Sequence, residues 1–326
     1  MLITDRLYGK NKIEDPLAIE IIKSPSFRRL KKINQAGYFL PHYPKAKMNR
    51  YDHSIGVYLL LQKFGASREE QISGLLHDVS HAVFSHCIDY VLPGGSGKVQ
   101  DYQDNLLKAY VKQTEIAGII KKHKLDLDFI LDEENFPLLE RKLPDLCADR
   151  VDYFFRDALM LEEMSKAEVD YFVKNLLVIK NKWVLRDYRS AKKYAVLYLH
   201  VNHLYYCGLP SALMFKTVGD CLRYALEKKY LTRADLYSTD HEVIDKIKKF
   251  VKKDSELKIL FQRMNNKIKA VHLPEEEAHF VHCKSRVVDP LFLAEGKVKR
   301  LSQVDQKWRE ILKQESGPKR YCIRFE

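Results

Sequence analysis

Three short stretches of the chain concentrate residues that can hold a metal ion and move protons. The first is Arg50-Tyr51-Asp52-His53. The second is His77-Asp78-Val79-Ser80-His81, with His86 and Asp89 close behind. The third runs from Asp149 and Arg150 through Asp152, Tyr153 and Arg156 to Asp157. An isolated His-Asp pair arises by chance in many chains. Here four of the 12 histidines fall within residues 53–89 together with Asp78 and Asp89, and a second acidic set follows. Imidazole suits Zn, Fe, Mn or Ni, and carboxylate suits Mg or Mn. The set therefore points to a divalent metal on mixed His/Asp ligands, its identity left open. A site of that kind with positions free for water and substrate lowers the pKa of a bound water and polarises a phosphoryl oxygen.

The surrounding pattern predicts how these residues are presented. Ser67 with Glu70 three residues on reads as a capping box that opens a helix through REEQISGLLHDVSHAVF. At about 100° per residue, Ile72, Leu75, Leu76 and Val79 share one side of it, and His77, Asp78 and His81 lie together on the other. In the third stretch Asp149, Asp152, Tyr153, Arg156 and Asp157 share one polar arc of about 140°, with Val151, Phe154, Phe155 and Ala158 behind. Two helices with apolar backs and polar fronts can line one cleft. Residues 54–64 predict a buried helix, 24–34 a basic amphipathic one and 41–52 a loop. Residues 176–188 read as a hairpin turning at Lys180-Asn181-Lys182, residues 191–230 as helix, and 279–288 and 319–326 as short strands. PGGSGK (93–98) lacks the strand and helix of a phosphate loop and reads as a flexible connection. The expected fold is mainly α: a helical core over residues 1–175, and a helical extension over 176–326 with a small mixed α/β C-terminal region packed on that core.

Composition narrows the class. The chain has 326 residues, 46% hydrophobic and 31% charged, with only 13 Gly, which suits a helical globular protein and excludes a disordered or fibrous one. No apolar run reaches the roughly 18 residues of a membrane span, and the first residues lack a signal-peptide core, so a cytoplasmic protein is expected. The six Cys are scattered and read as reduced. The net charge is +12 and is carried in blocks: +7 over residues 1–50, +6 over 245–270 and +5 over 297–326, leaving the remainder at −6. Such blocks attract polyanions, so a nucleotide is expected as partner and nucleic acid is admitted as another. For IDKIKKFVKKDSELKIL the plainer reading is a solvated lysine face over an Ile244, Ile247, Phe250, Val251 stripe.

FRRLKKINQAG, NRYDHSIGVYLL, GLLHDVSHAVFSH and DRVDYFFRDAL, in that order, resemble the HD-domain metal-dependent phosphohydrolases. Within them the run is most similar to the deoxynucleoside triphosphate triphosphohydrolases, over about residues 1–225. The resemblance implies metal ligands at His53, His77, Asp78 and Asp149. It implies phosphate contacts from Arg50, His81, His86 and Arg150, and sugar contacts from Gln35, Tyr153 and Asp157. It also implies a homo-oligomer. Relatives carry a His-Glu pair after the HD helix, its His held by an upstream Asp. Here Tyr102-Gln103-Asp104 stands there, while Asp89 keeps the place of that Asp. Gln cannot transfer protons as His does, so His81 or His86, with Asp89, is expected to carry that work. Tyr206, Met214 and Lys216 fall where relatives clasp the nucleotide, and Ala36 follows Gln35 where they have Leu. Both changes open the sugar pocket and suggest weak discrimination against ribose.

The expected activity is hydrolysis of a (deoxy)nucleoside triphosphate by water attack at a metal-held phosphate. Two alternatives stay open: a phosphodiesterase acting on a cyclic or dinucleotide substrate, and a catalytically weakened HD protein that binds nucleotide or nucleic acid.

Overall fold

The computed structural model describes residues 1–273 and 279–326. Its centre is the helix Arg50–Lys63, opened by Asn49, whose side chain accepts the Asp52 N–H. Ile55, Val57, Tyr58, Leu59, Leu60 and Leu61 are all buried, so this helix is apolar nearly all round, as a central helix must be. Helices Arg68–Leu76 and Ala148–Met160 pack against it. The approach of Arg50–Lys63 to Ala148–Met160 is closest at Gly56, where an added Cβ would run into the Asp152 carboxylate and the Arg156 guanidinium.

Ser67 caps its helix as expected, but the box is half made. The Glu70 carboxylate turns away to accept the backbone N–H groups of Leu138 (2.6 Å) and Leu139 (3.1 Å). The helix also ends at Leu76 rather than running on through the second motif. Beyond it the chain tightens into i→i+3 turns, Val79 N–H to Leu76 O and His81 N–H to Asp78 O. Arg29 takes the freed carbonyls of Val79 (3.0 Å) and His81 (2.7 Å). The polar front read from helical periodicity is thus a turn at a helix end, clamped from a distant segment. The expected helix over 191–230 is two helices, Tyr188–Val201 and Leu209–Glu227, separated by a π-helical turn at Asn202–Tyr206.

The hairpin is present. Strands Leu176–Ile179 and Lys182–Leu185 pair antiparallel, with Lys180 and Asn181 both left-handed (φ 50° and 56°), as a two-residue turn of matching twist requires. Lys182–Leu185 then pairs in parallel with Leu291–Ala294, which pairs with Lys297–Arg300. A second sheet places Lys319–Phe325 between Ala270–His272 and His279–Cys283. The strand expected over 279–288 stops at Cys283, and residues 284–290 belong to no strand or helix. One hydrophobic cluster joins the central helices to Trp183, Tyr194, Tyr198, Val288 and Phe292, so a single core runs across residue 175. In Asp240–Val251 the stripe includes buried Ile247 and Phe250 stacked on Tyr230 at 4.1 Å, with the lysines on the outside. The six Cys are buried. No helix among the described residues is long and apolar enough to cross a membrane.

Gly56→Ala is expected to cost about 1–3 kcal/mol through overpacking at the helix crossing. Urea unfolding measures it; an unchanged midpoint would mean that the two helices can part there at no cost.

Candidate active site

The helix Arg50–Lys63 delivers His53, the end of Arg68–Leu76 delivers His77 and Asp78, and the first turn of Ala148–Met160 delivers Asp149. They meet. His53 Nε2 lies 2.9 Å from Asp149 Oδ1, 3.2 Å from His77 Nε2 and 3.8 Å from Asp78 Oδ2. His77 Nε2 lies 3.4 Å from Asp149 and 3.6 Å from Asp78 Oδ1. The other nitrogen of each ring is committed to an acceptor. His53 Nδ1 donates to Asp152 Oδ1 (2.8 Å) and His77 Nδ1 to the Gly74 carbonyl (2.8 Å). As neutral rings, both therefore aim an Nε2 lone pair at the same point, where two carboxylates also converge. Lone pairs cannot satisfy one another, and Asp78 Oδ2 is buried without a partner. Only positive charge completes such a centre. In the bare protein this demand appears as a shift: burial pulls His77 down, but Asp78 and Asp149 outweigh it and push it up to about 10. His53 is raised likewise, Asp149 and Asp152 overcoming its burial. A divalent ion suits these donors, and His53, His77 and Asp149 alone bring three ligand atoms within 4.8 Å of one another.

Behind the cluster, Asp152 is gripped by Arg156 through two bonds of 3.0 Å, and Arg156 reaches, at 3.1 Å, Asp5 of the N-terminal hairpin formed by strands Leu2–Asp5 and Gly9–Lys12. Beside it, Arg50 pairs with Asp78 (2.6 Å) and Ser85 (2.7 Å), while its remaining nitrogen is buried without a partner. His81 lies 3.1 Å from Asp78, and its ring meets that of His86 edge-on at 5.5 Å. Burial, then Arg50, holds His81 down at about 3. Burial and the cations Arg286, Arg50 and Lys284 hold His86 well below its ordinary value. Both are neutral at pH 7 in the bare protein. Asp89 sits behind His86, 3.6 Å away and outside the cleft lining, accepting the Tyr102 N–H.

Gln35, Arg150, Tyr153 and Asp157 all line the cleft over this centre. Arg150 is tied to the Asp145 and Arg141 carbonyls and to Glu140, and so presents only part of its charge. Tyr153 bonds Tyr198 at 2.5 Å. Asp157 is pushed up to about 7 by burial, despite the Tyr206 hydroxyl beside it. Tyr206 and Ala36 line the cleft, but Met214 is buried in the second core cluster and Lys216 pairs with Asp220, so neither reaches it. Helical register put them there; the π-helical turn alters it. Sequence reasoning missed Asp104, Glu133 and Glu140 on one side of the cleft and Lys284 and Arg286 on another. Burial, then Glu140, pushes Glu133 up to about 8. The alternation Lys284-x-Arg286 in an extended run was the available signal for the two cations.

Phe84 and Ser85 are both left-handed (φ 55° and 45°), a strained state for side-chain-bearing residues. It persists because its surroundings overdetermine it. Asp240 accepts Phe84 N–H, Val83 N–H goes to Leu236 O, and Ser85 Oγ donates to Asn34 O. Gln103 accepts from Ala82 N–H and donates to Ser85 O (2.8 Å). Both ends of the Gln103 amide are spent on the loop that carries His81 and His86. Gln103 braces that loop and does not enter the cleft. Gln103→Ala orphans a buried N–H and a buried carbonyl and is expected to cost about 1–3 kcal/mol, read as a lowered melting temperature; full retention would mean that water replaces the brace.

A model of the HD domain matches residues 50–157. YdhJ of Bacillus subtilis is 31% identical over 312 residues, covering 95% of this chain and 94% of that one. The metal-dependent phosphohydrolase cns2 of Cordyceps militaris is 36% identical over 179 residues, 54% of this chain and 50% of that protein. The deoxynucleoside triphosphate triphosphohydrolase SAMHD1 of Mus musculus is 25% identical over 277 residues, 69% of this chain and 41% of that protein. The matched HD segment carries His53, His77, Asp78 and Asp149 on the elements that bring their ligand atoms together. The chain belongs to the HD-domain metal-dependent phosphohydrolases.

Proposed function

We propose that the chain hydrolyses a nucleoside triphosphate or deoxynucleoside triphosphate, with water attacking a phosphorus at the His53, His77, Asp78 and Asp149 centre. The observation that carries the reading is the meeting of that centre with Arg50, two neutral imidazoles and a tyrosine-lined pocket in one cleft. The name of the mouse relative, a deoxynucleoside triphosphate triphosphohydrolase, supports the substrate class. A bound divalent ion supplies a polarised phosphoryl oxygen and a water of lowered pKa. The unpartnered Arg50 nitrogen donates to a phosphate oxygen and holds it in line. His81 and His86 start neutral and donate hydrogen bonds to the incoming phosphate. Its negative charge offsets the cations that depress their pKa values, which readies one of them to carry a proton to the leaving oxygen. Asp89 stands 3.6 Å behind His86 without a bond to it, and offers that ring an acceptor. With Gln103 where relatives have His, and its amide spent on the backbone, proton transfer falls to His81 or His86. Tyr153, Asp157 and Gln35 bound the sugar, and Ala36 leaves room at its 2′ position.

Metal analysis of the purified protein, with product analysis on deoxynucleoside triphosphates, nucleoside triphosphates and cyclic dinucleotides plus Mn²⁺, tests this. Release of a triphosphate chain is expected from both sugar types, and Asp78→Ala should lose more than about 100-fold, beyond the roughly 10–100-fold of an outer partner. Cleavage of cyclic dinucleotides alone would establish the phosphodiesterase instead, and bound metal without product would establish a binding protein. Asp152→Asn keeps the shape but weakens the acceptor that orients His53. Its apparent Kd for Mn²⁺ should rise roughly 10–100-fold, and an unchanged titration would remove Asp152 from the metal's support.

A further inference from the structure

We infer that Lys284 and Arg286 form an arm that binds the distal phosphates of the substrate, supplied by a segment outside the HD match at residues 50–157. The inference rests on the proposed reading for what happens at the other end of the cleft.

The arm is built. Just past strand His279–Cys283, residues 284 and 286 turn to the cleft and Ser285 turns to the interior. Lys284 and Arg286 line the cleft, while Ser285 is buried. Asn202, itself fully buried, holds this segment from both sides: its Nδ2 donates to Ser285 Oγ (3.1 Å) and its Oδ1 accepts the Arg286 N–H (2.7 Å). Asn202 opens the π-helical turn that also brings Tyr205 and Tyr206 to the cleft. Such turns recur at functional sites because they re-aim side chains that a regular helix would misplace.

The arm is also unpaired. Arg50 spends its charge on Asp78, and Arg150 on Glu140 and two carbonyls. Among the described residues neither Lys284 nor Arg286 has a carboxylate at ion-pair distance. Among the described residues the only side-chain acceptor of Arg286 is Gln100 Oε1 at 3.0 Å. These are two adjacent half-buried cations, and Asp104 and Glu140 act on Lys284 only from beyond ion-pair distance, so their charge is incompletely answered. Burial, then Arg286, pulls the Lys284 ammonium down to about 8. His86 feels both cations, which makes the arm continuous with the phosphate-facing imidazoles. An anion that answers this must carry charge beyond the phosphate at the metal centre. A phosphate chain does so, offering oxygens to the guanidinium fork and to the ammonium point charge. A cyclic diester, with one charge per phosphate and no tail, leaves the arm empty.

Calorimetric titration of the full chain with inorganic triphosphate and with orthophosphate, Mg²⁺ in excess of both, tests the arm. The triphosphate should bind at least about tenfold more tightly than orthophosphate, the size of one charge-assisted hydrogen bond. Added salt should shrink that ratio. Lys284→Gln and Arg286→Gln should each reduce it, with orthophosphate binding retained as the check on folding. Lys284→Arg, which keeps the charge, should preserve it. Equal binding of the two anions by the unaltered protein, or a full preference in both Gln variants, would overturn the arm. If the ratio behaves as expected while no nucleotide is cleaved, the arm stands and the nucleotide triphosphatase reading falls.

Discussion

Two imidazoles and two carboxylates aimed at one point need positive charge between them, which in the bare protein is the proton that raised His77 and His53 hold. The architecture around the cluster is what keeps them together before any cation arrives. Asp152 fixes one ring, the Gly74 carbonyl the other, and Arg50 neutralises Asp78 from the side. Arg156 in turn fixes Asp152, and Asp5 fixes Arg156. The N-terminal hairpin, which takes no direct part in the centre, is thereby tied to it through three successive ionic contacts. The same demand explains the missing side chain at position 56: the Asp152–Arg156 pair occupies the space where a Cβ would stand.

The N-terminal basic block acquires a different meaning in this light. Two of its arginines are committed to building the site rather than spread over a surface. Arg29 ties the carbonyls of the turn after Leu76, and Arg50 pairs with Asp78. Their positive charge matches the negative charge of a ligand cluster and of helix-end carbonyls. The block at 245–270, by contrast, is an outer face over a buried stripe. A charge count alone does not separate these cases; contact with the acidic centre does.

What local pattern controls was legible. The Lys180-Asn181 hairpin, the stripe in Asp240–Val251 and the buried helix, read over 54–64 and found over Arg50–Lys63, follow from spacing, while the grouping of His53, His77, Asp78 and Asp149 was implied by the resemblance. What distant partners control was not. The helix carrying His77 stops at Leu76, with Arg29, 50 residues before Val79, on the carbonyls released there. Glu70 left its cap for Leu138 and Leu139. Gln103 reads as a lost histidine in the sequence, yet its amide is a brace that only the folded loop reveals. Lys284 and Arg286 are set by Asn202, more than eighty positions earlier, and no local window contains both.

The left-handed pair Phe84–Ser85 carries a consequence for the order of assembly. Its strain is held by Asn34, Gln103, Leu236 and Asp240, contacts that span most of the chain. Loop closure over such separations is slow compared with helix formation. During synthesis the segments bearing His53, His77, Asp78 and Asp149 are all out by residue 160, while the contacts that hold the loop bearing His81 and His86 are complete only once residue 240 has emerged. The two halves of the cluster are therefore fixed by contacts of very different reach along the chain.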